Sequence, residues 1–69
     1  MPLSMIDEGE SSEIKRIGGK DETKRFLENL GFVAGVIVTV ISKTRGNVIV
    51  NIKDSRIAIG KEMASKIMV

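Results

Sequence analysis

The chain has 69 residues, a formal net charge of +2, and no Cys, His, Trp or Tyr. That inventory excludes disulfides, Cys/His zinc sites, Ser-His-Asp and Cys-His triads and thiol redox chemistry. With two Phe as the only aromatics, the chain also lacks a base-stacking platform and an aromatic groove for proline-rich peptides.

The remainder is ordinary globular composition, 42% apolar and 29% charged, which is too balanced for disorder. A chain of this length is expected to form one domain over residues 1–69 with a thin core. The charge is uneven. Residues 1–42 carry five basic and seven acidic side chains, and residues 43–69 carry six and two. This asymmetry reads first as different solvated faces of one domain.

In chain order, Met1-Pro2-Leu3-Ser4 has no basic stretch leading into an apolar one, so no export signal is read there. Asp7, Glu8, Glu10 and Glu13 follow as an acidic cluster. Carboxylates suit hard cations, but nothing in the cluster supplies the imidazole or thiolate that holds iron or zinc tightly. It is read as a solvated loop, with no metal site and no cofactor. Ile14 to Ile17 reads as a short strand closed by Gly18-Gly19.

From Glu22 to Leu30 the alternation stops, and Phe26, Leu27 and Leu30 fall on one side of a helix. Asp21 is the expected N-cap, and Gly31 the left-handed residue that ends the helix. The apolar run Phe32 to Ile41 is far short of the roughly 20 residues that a membrane-spanning helix needs. Within it, Val36, Val38 and Val40 alternate with Ile37, Thr39 and Ile41, and a strand apolar on both faces is expected to be covered on both.

Thr44-Arg45-Gly46-Asn47 marks a turn into a second strand carrying Val48, Val50 and Ile52. A turn at Asp54-Ser55 leads to a third, with Ile57 and Ile59 on one face. Lys61 to Ser65 reads as a short turn whose Met63 and Ala64 plug the core, and Lys66 to Val69 as the last strand. About five short strands and one short helix predict an all-β fold, a small SH3-like barrel, with the OB-fold as its competitor. Closure removes the exposed edges that an open sheet would present.

Pro2-Leu3, Ile6, Gly9, Ile14, Ile17 and Gly19 precede Phe26-Leu27-Glu28-Asn29-Leu30-Gly31-Phe32-Val33-Ala34-Gly35, and the chain closes on Ala64-Ser65-Lys66-Ile67-Met68-Val69. This order resembles the FeoA family, the small cytosolic component of bacterial ferrous iron transport. Its most specific part is the motif at Leu27, Leu30, Gly31 and Gly35 joined to the Ala64–Val69 ending. The resemblance implies an SH3-like barrel and a non-catalytic regulatory or assembly role alongside FeoB, the membrane-embedded G-protein-type iron transporter.

The sequence departs from the family pattern where Phe26 stands in place of a frequent Arg, with Arg25 one position earlier, and where Ala34 replaces a frequent Pro. The same barrel closes iron-dependent repressors related to the diphtheria toxin repressor, so a stand-alone repressor-type domain is the alternative, and a small RNA-binding barrel a weaker one.

Gly31 and Gly35 lie after a helix and before a strand, the reverse of a phosphate-cradling loop, so they are read as structural. The basic side chains of the second half, without stacking aromatics, argue against nucleic acid as a partner. Protein contact remains. Phe32 and Val33, beside Phe26 and Arg25, are the expected partner-binding residues, with Met5, Met63 and Met68 as adaptable contacts. The same surface could serve self-association. The expected setting is the cytoplasm, at the inner face of the membrane through the partner, with no span of the chain's own.

Overall fold

A computed structural model describes all of residues 1–69. The valine alternation forms its centre: β3 (Ile37–Lys43) pairs antiparallel with β4 (Asn47–Ile52), and β4 with β5 (Ser55–Gly60). Ahead of these run a 3-10 turn (Leu3–Met5), β1 (Ser11–Glu13), β2 (Arg16–Ile17) and α1 (Asp21–Asn29); α2 (Lys61–Ala64) and β6 (Ile67–Met68) follow. The strand order is β1-β3-β4-β5 in one sheet and β2-β6 in a second.

The expected strand Ile14–Ile17 is realised only at Arg16–Ile17, and a further strand, β1, forms ahead of it at Ser11–Glu13, where Glu13 was read as part of a solvated loop. The Ile14 amide still donates to the Val36 carbonyl at 2.9 Å, whereas the next amide, of Lys15, donates to Met68 at 2.7 Å. The chain turns a barrel corner at this point, which is why six strands stand where about five were expected. The two ends of the chain continue the second sheet. Pro2 bridges Met68, and Met1 and Val69 exchange bonds of 3.0 and 2.8 Å.

Thirteen residues are buried, all of them apolar, and they form one cluster. Val38, Val40, Val48, Val50 and Ile52 line its sheet side; Leu27, Phe32, Ala64 and Ile67 close it, with Met63 packed at the margin. The prediction that β3 is covered on both faces fails. Ile37 is 54% exposed and Ile41 38% exposed. The single long helix contributes only Leu27 as a buried residue, so nothing is left to cover the outer face of a sheet in so short a chain. A register shift between Val40 and Ser42 adds a bulge at Ile41.

Three local details also differ from expectation. The helix begins at Asp21, with Lys20 at the cap position and no side chain capping it, so Asp21 and Glu22 act in the first turn, where negative charge suits the helix dipole. The turn between β4 and β5 is Lys53-Asp54, one residue earlier than expected, with φ of 48° and 65°. Finally, Lys61–Ala64 closes into a helical turn.

Candidate docking surface

The helix-to-loop segment from Arg25 to Gly35 holds the four residues expected to form the partner-binding surface, Arg25, Phe26, Phe32 and Val33, and the fold sorts them. Leu27 faces the core and is fully buried, and Leu30 packs against it. Gly31 takes φ +108°, and the chain reverses there. This lets the Phe32 ring fall back onto the core, where it too is fully buried. Phe32 is therefore removed from the docking surface: it follows a left-handed glycine, and that reversal aims the side chain inward. Arg25 and Phe26 are exposed and Val33 is half-buried.

Gly35, at φ +92°, donates its amide to the Ile14 carbonyl at 2.8 Å and ties the end of the segment to the barrel corner. Arg25, Phe26 and Val33 thus lie on one stretch of chain, fixed at one end by the helix and at the other by β1. Of the methionines, Met5 is exposed, while Met63 and Met68 are half-buried.

Two further surfaces were not foreseen. The outer sheet face shows Ile37 and Ile41 beside the half-buried Thr39 and Ile49. On this face Ser11 and Thr39 share a hydroxyl hydrogen bond of 2.7 Å. The signal that could have located it is the excess of β-branched residues on both faces of β3 in a chain with one helix.

The second surface is an open cleft of about 550 Å³ beside α2, lined by Ser4, Gly46, Gly60, Lys61, Glu62, Met63 and Ser65. Its hydroxyl at Ser65 donates to the Glu62 carbonyl, and the Ser4 carbonyl accepts from the Lys43 ammonium at 3.1 Å.

The acidic cluster does not converge. Glu8 accepts a 2.7 Å hydrogen bond from the Lys43 amide, and no group of three or more carboxylates is placed to hold a metal ion. No helix is long and apolar enough to cross a membrane.

This arrangement defines a small SH3-like barrel with a half-exposed aromatic on its only long helix. The FeoA domain matches residues 1–69, and the chain belongs to the FeoA family, which is involved in Fe(2+) transport.

The provisionally named Fe(2+) transport protein A of Methanocaldococcus jannaschii is 38% identical over 68 residues, covering 99% of this chain and 83% of that protein. A crystal structure of an iron uptake regulatory protein, FeoA, superposes with a TM-score of 0.93 at 27% identity, covering 100% of this chain and 93% of the other. The FeoA of Stenotrophomonas maltophilia, an SH3-domain protein crystallised with zinc, superposes at 0.88 with 25% identity, covering 100% and 88%. A manganese-dependent transcriptional repressor shares the fold alone, at TM-score 0.89 and 18% identity, with this chain spanning 39% of it.

Proposed function

We propose that this chain is a non-catalytic accessory of ferrous iron uptake, acting by protein contact with a FeoB-like transporter at the inner face of the membrane. The observation that carries the proposal is Phe26. It stands 51% exposed on α1, next to exposed Arg25, while its neighbours Leu27 and Phe32 are fully buried. Phenylalanine and arginine are both enriched at protein interfaces relative to the rest of the surface, and arginine is among the residues that carry most of the binding energy there. Family membership supplies the iron-transport context. The S. maltophilia relative, described as a candidate activating factor for bacterial ferrous iron transport, supports a regulatory role.

The test is capture of the FeoB-like transporter of the same organism from detergent-solubilised membranes on the immobilised chain. Wild type is expected to retain it, and Phe26→Asp combined with Arg25→Glu to lose at least about tenfold in affinity, roughly one strong interface anchor. Undiminished capture by a variant with an unchanged melting curve removes this surface from the interface. No capture by wild type overturns the proposal.

A further inference from the structure

The four-stranded sheet has two free edges, and the one charged residue in each edge strand is opposite in sign to the other. In β5 the register pairs Ile52 with Ser55, Val50 with Ile57 and Val48 with Ile59. A two-residue turn closes on a hydrogen-bonded pair, and antiparallel ladders alternate. The backbone groups of Arg56, Ala58 and Gly60 therefore point away from β4, and β5 pairs with no other strand.

In β1 the Val40 amide donates to Glu10, and the Ile14 amide to Val36, so the even-numbered residues bond to β3. The groups of Ser11 and Glu13 are left pointing outward. Glu13 is the one charged residue of β1 and Arg56 the one charged residue of β5, and both are exposed; the flanking residues are mixed in sign, with Glu10, Lys15 and Arg16 beside β1 and Lys53, Asp54, Lys61 and Glu62 beside β5.

We propose that copies of this chain associate edge to edge, with β1 of one copy adding antiparallel to β5 of the next. One register satisfies both the backbone and the charges: Glu13 opposite Arg56 and Ser11 opposite Ala58. Both pairs consist of residues with free amides and carbonyls, and all four side chains lie on the outer face, so the sheet continues across the junction.

Arg56 also selects against the alternatives. β5 against β5 sets cation beside cation, and β1 against β1 sets carboxylate beside carboxylate, so the like-edge contacts are disfavoured while the unlike one is drawn together. The contact joins two different edges and is therefore head-to-tail, giving a ring or an open series rather than an isologous two-fold dimer. It uses neither Arg25 nor Phe26, so its failure leaves the transporter proposal standing, and the reverse holds.

A contact of two strand pairs belongs to the weak class of interfaces, so sedimentation equilibrium is run up to about 1 mM protein. Runs at about 0.01 M and about 1 M salt compare Debye lengths of about 30 and 3 Å. The expected weight-average mass rises above 7.5 kDa with concentration at low salt and returns toward it at high salt. Glu13→Arg and Arg56→Glu alone are each expected to stay monomeric, because each makes both edges alike in sign. Mixed in equal amounts they are expected to associate again, with the two variants alternating, since β1 of each is complementary to β5 of the other.

Amide hydrogen exchange supplies a backbone readout, with Ser11, Glu13, Arg56 and Ala58 gaining protection as wild type is concentrated. A wild type that stays monomeric at low salt overturns the proposal. So does association that survives either single substitution, or a mixture that fails to pair while wild type associates.

Discussion

The Phe32 amide donates to the Leu27 carbonyl at 3.0 Å across the end of α1, and both side chains are fully buried. With the Gly31 amide donating to Glu28 at 2.9 Å, this is a complete Schellman closure in which the two apolar residues meet in the core. The turn and the core are thus one device. Gly31 permits the reversal, the reversal aims Phe32 inward, and the ring then packs where the helix delivers Leu27.

Gly31→Ala tests the backbone part of this device. An added Cβ meets no atom within 4 Å, so its cost is that of holding φ +108° and not a clash. A loss of about 1–2 kcal/mol in urea unfolding is expected. Gly46 is also open but has no positive φ. There Ala restricts only the unfolded chain, and a gain of about 0.4–1 kcal/mol is expected. Equal effects at the two positions would remove the conformational explanation.

The two phenylalanines give a sharper contrast. Truncating a fully buried Phe costs about 3–5 kcal/mol, and a core of this size rarely supplies more than about 3–5 kcal/mol in total. Phe32→Ala is therefore expected to be largely unfolded at 25 °C by circular dichroism and amide NMR. Phe26→Ala, at a half-exposed site, is expected to change stability by no more than about 0.5 kcal/mol.

That contrast marks the limit of what the sequence could tell. The helix, its stop at Gly31 and the three central strands follow from period and punctuation, because each depends on residues close in the chain. Which Phe is buried depends on how far Gly31 turns the backbone, and neither side chain carries a local sign of it. The exposed face of β3 is a second case. Ile37 and Ile41 have the pattern of a strand covered on both sides, but the number of elements available to cover it is a property of the whole chain. The corner between β1 and β2 is a third, since Ile14 bonds toward one sheet and Lys15 toward the other through partners, Val36 and Met68, that are remote in sequence.

The Lys53-Asp54 turn leaves stability ungained. Both residues hold positive φ, 48° and 65°, as a type I′ hairpin turn requires, and Asn-Gly is the pair best suited to it. Lysine has neither the freedom of glycine nor the local hydrogen bonding that eases Asn into this region. Lys53→Asn with Asp54→Gly is expected to stabilise the protein by about 1 kcal/mol and to raise the melting midpoint by about 4–8 °C. A lowered midpoint would show that a contact made by Lys53 or Asp54 outweighs the backbone term.

Metal dependence gives the last expectation. The chain has no Cys or His, its carboxylates form no group of three, and Glu8 is already engaged with the Lys43 amide. A ligand that binds only the folded state at a hundred times its Kd adds about 2.7 kcal/mol, which at this size is roughly 10–20 °C in the melting midpoint. Melts under anaerobic ferrous iron, under zinc and under excess chelator are expected to coincide. A rise of that order with either metal would establish a site that this arrangement of side chains does not provide, and would move the chain from an iron-pathway accessory that works through surfaces to one that responds to the ion itself.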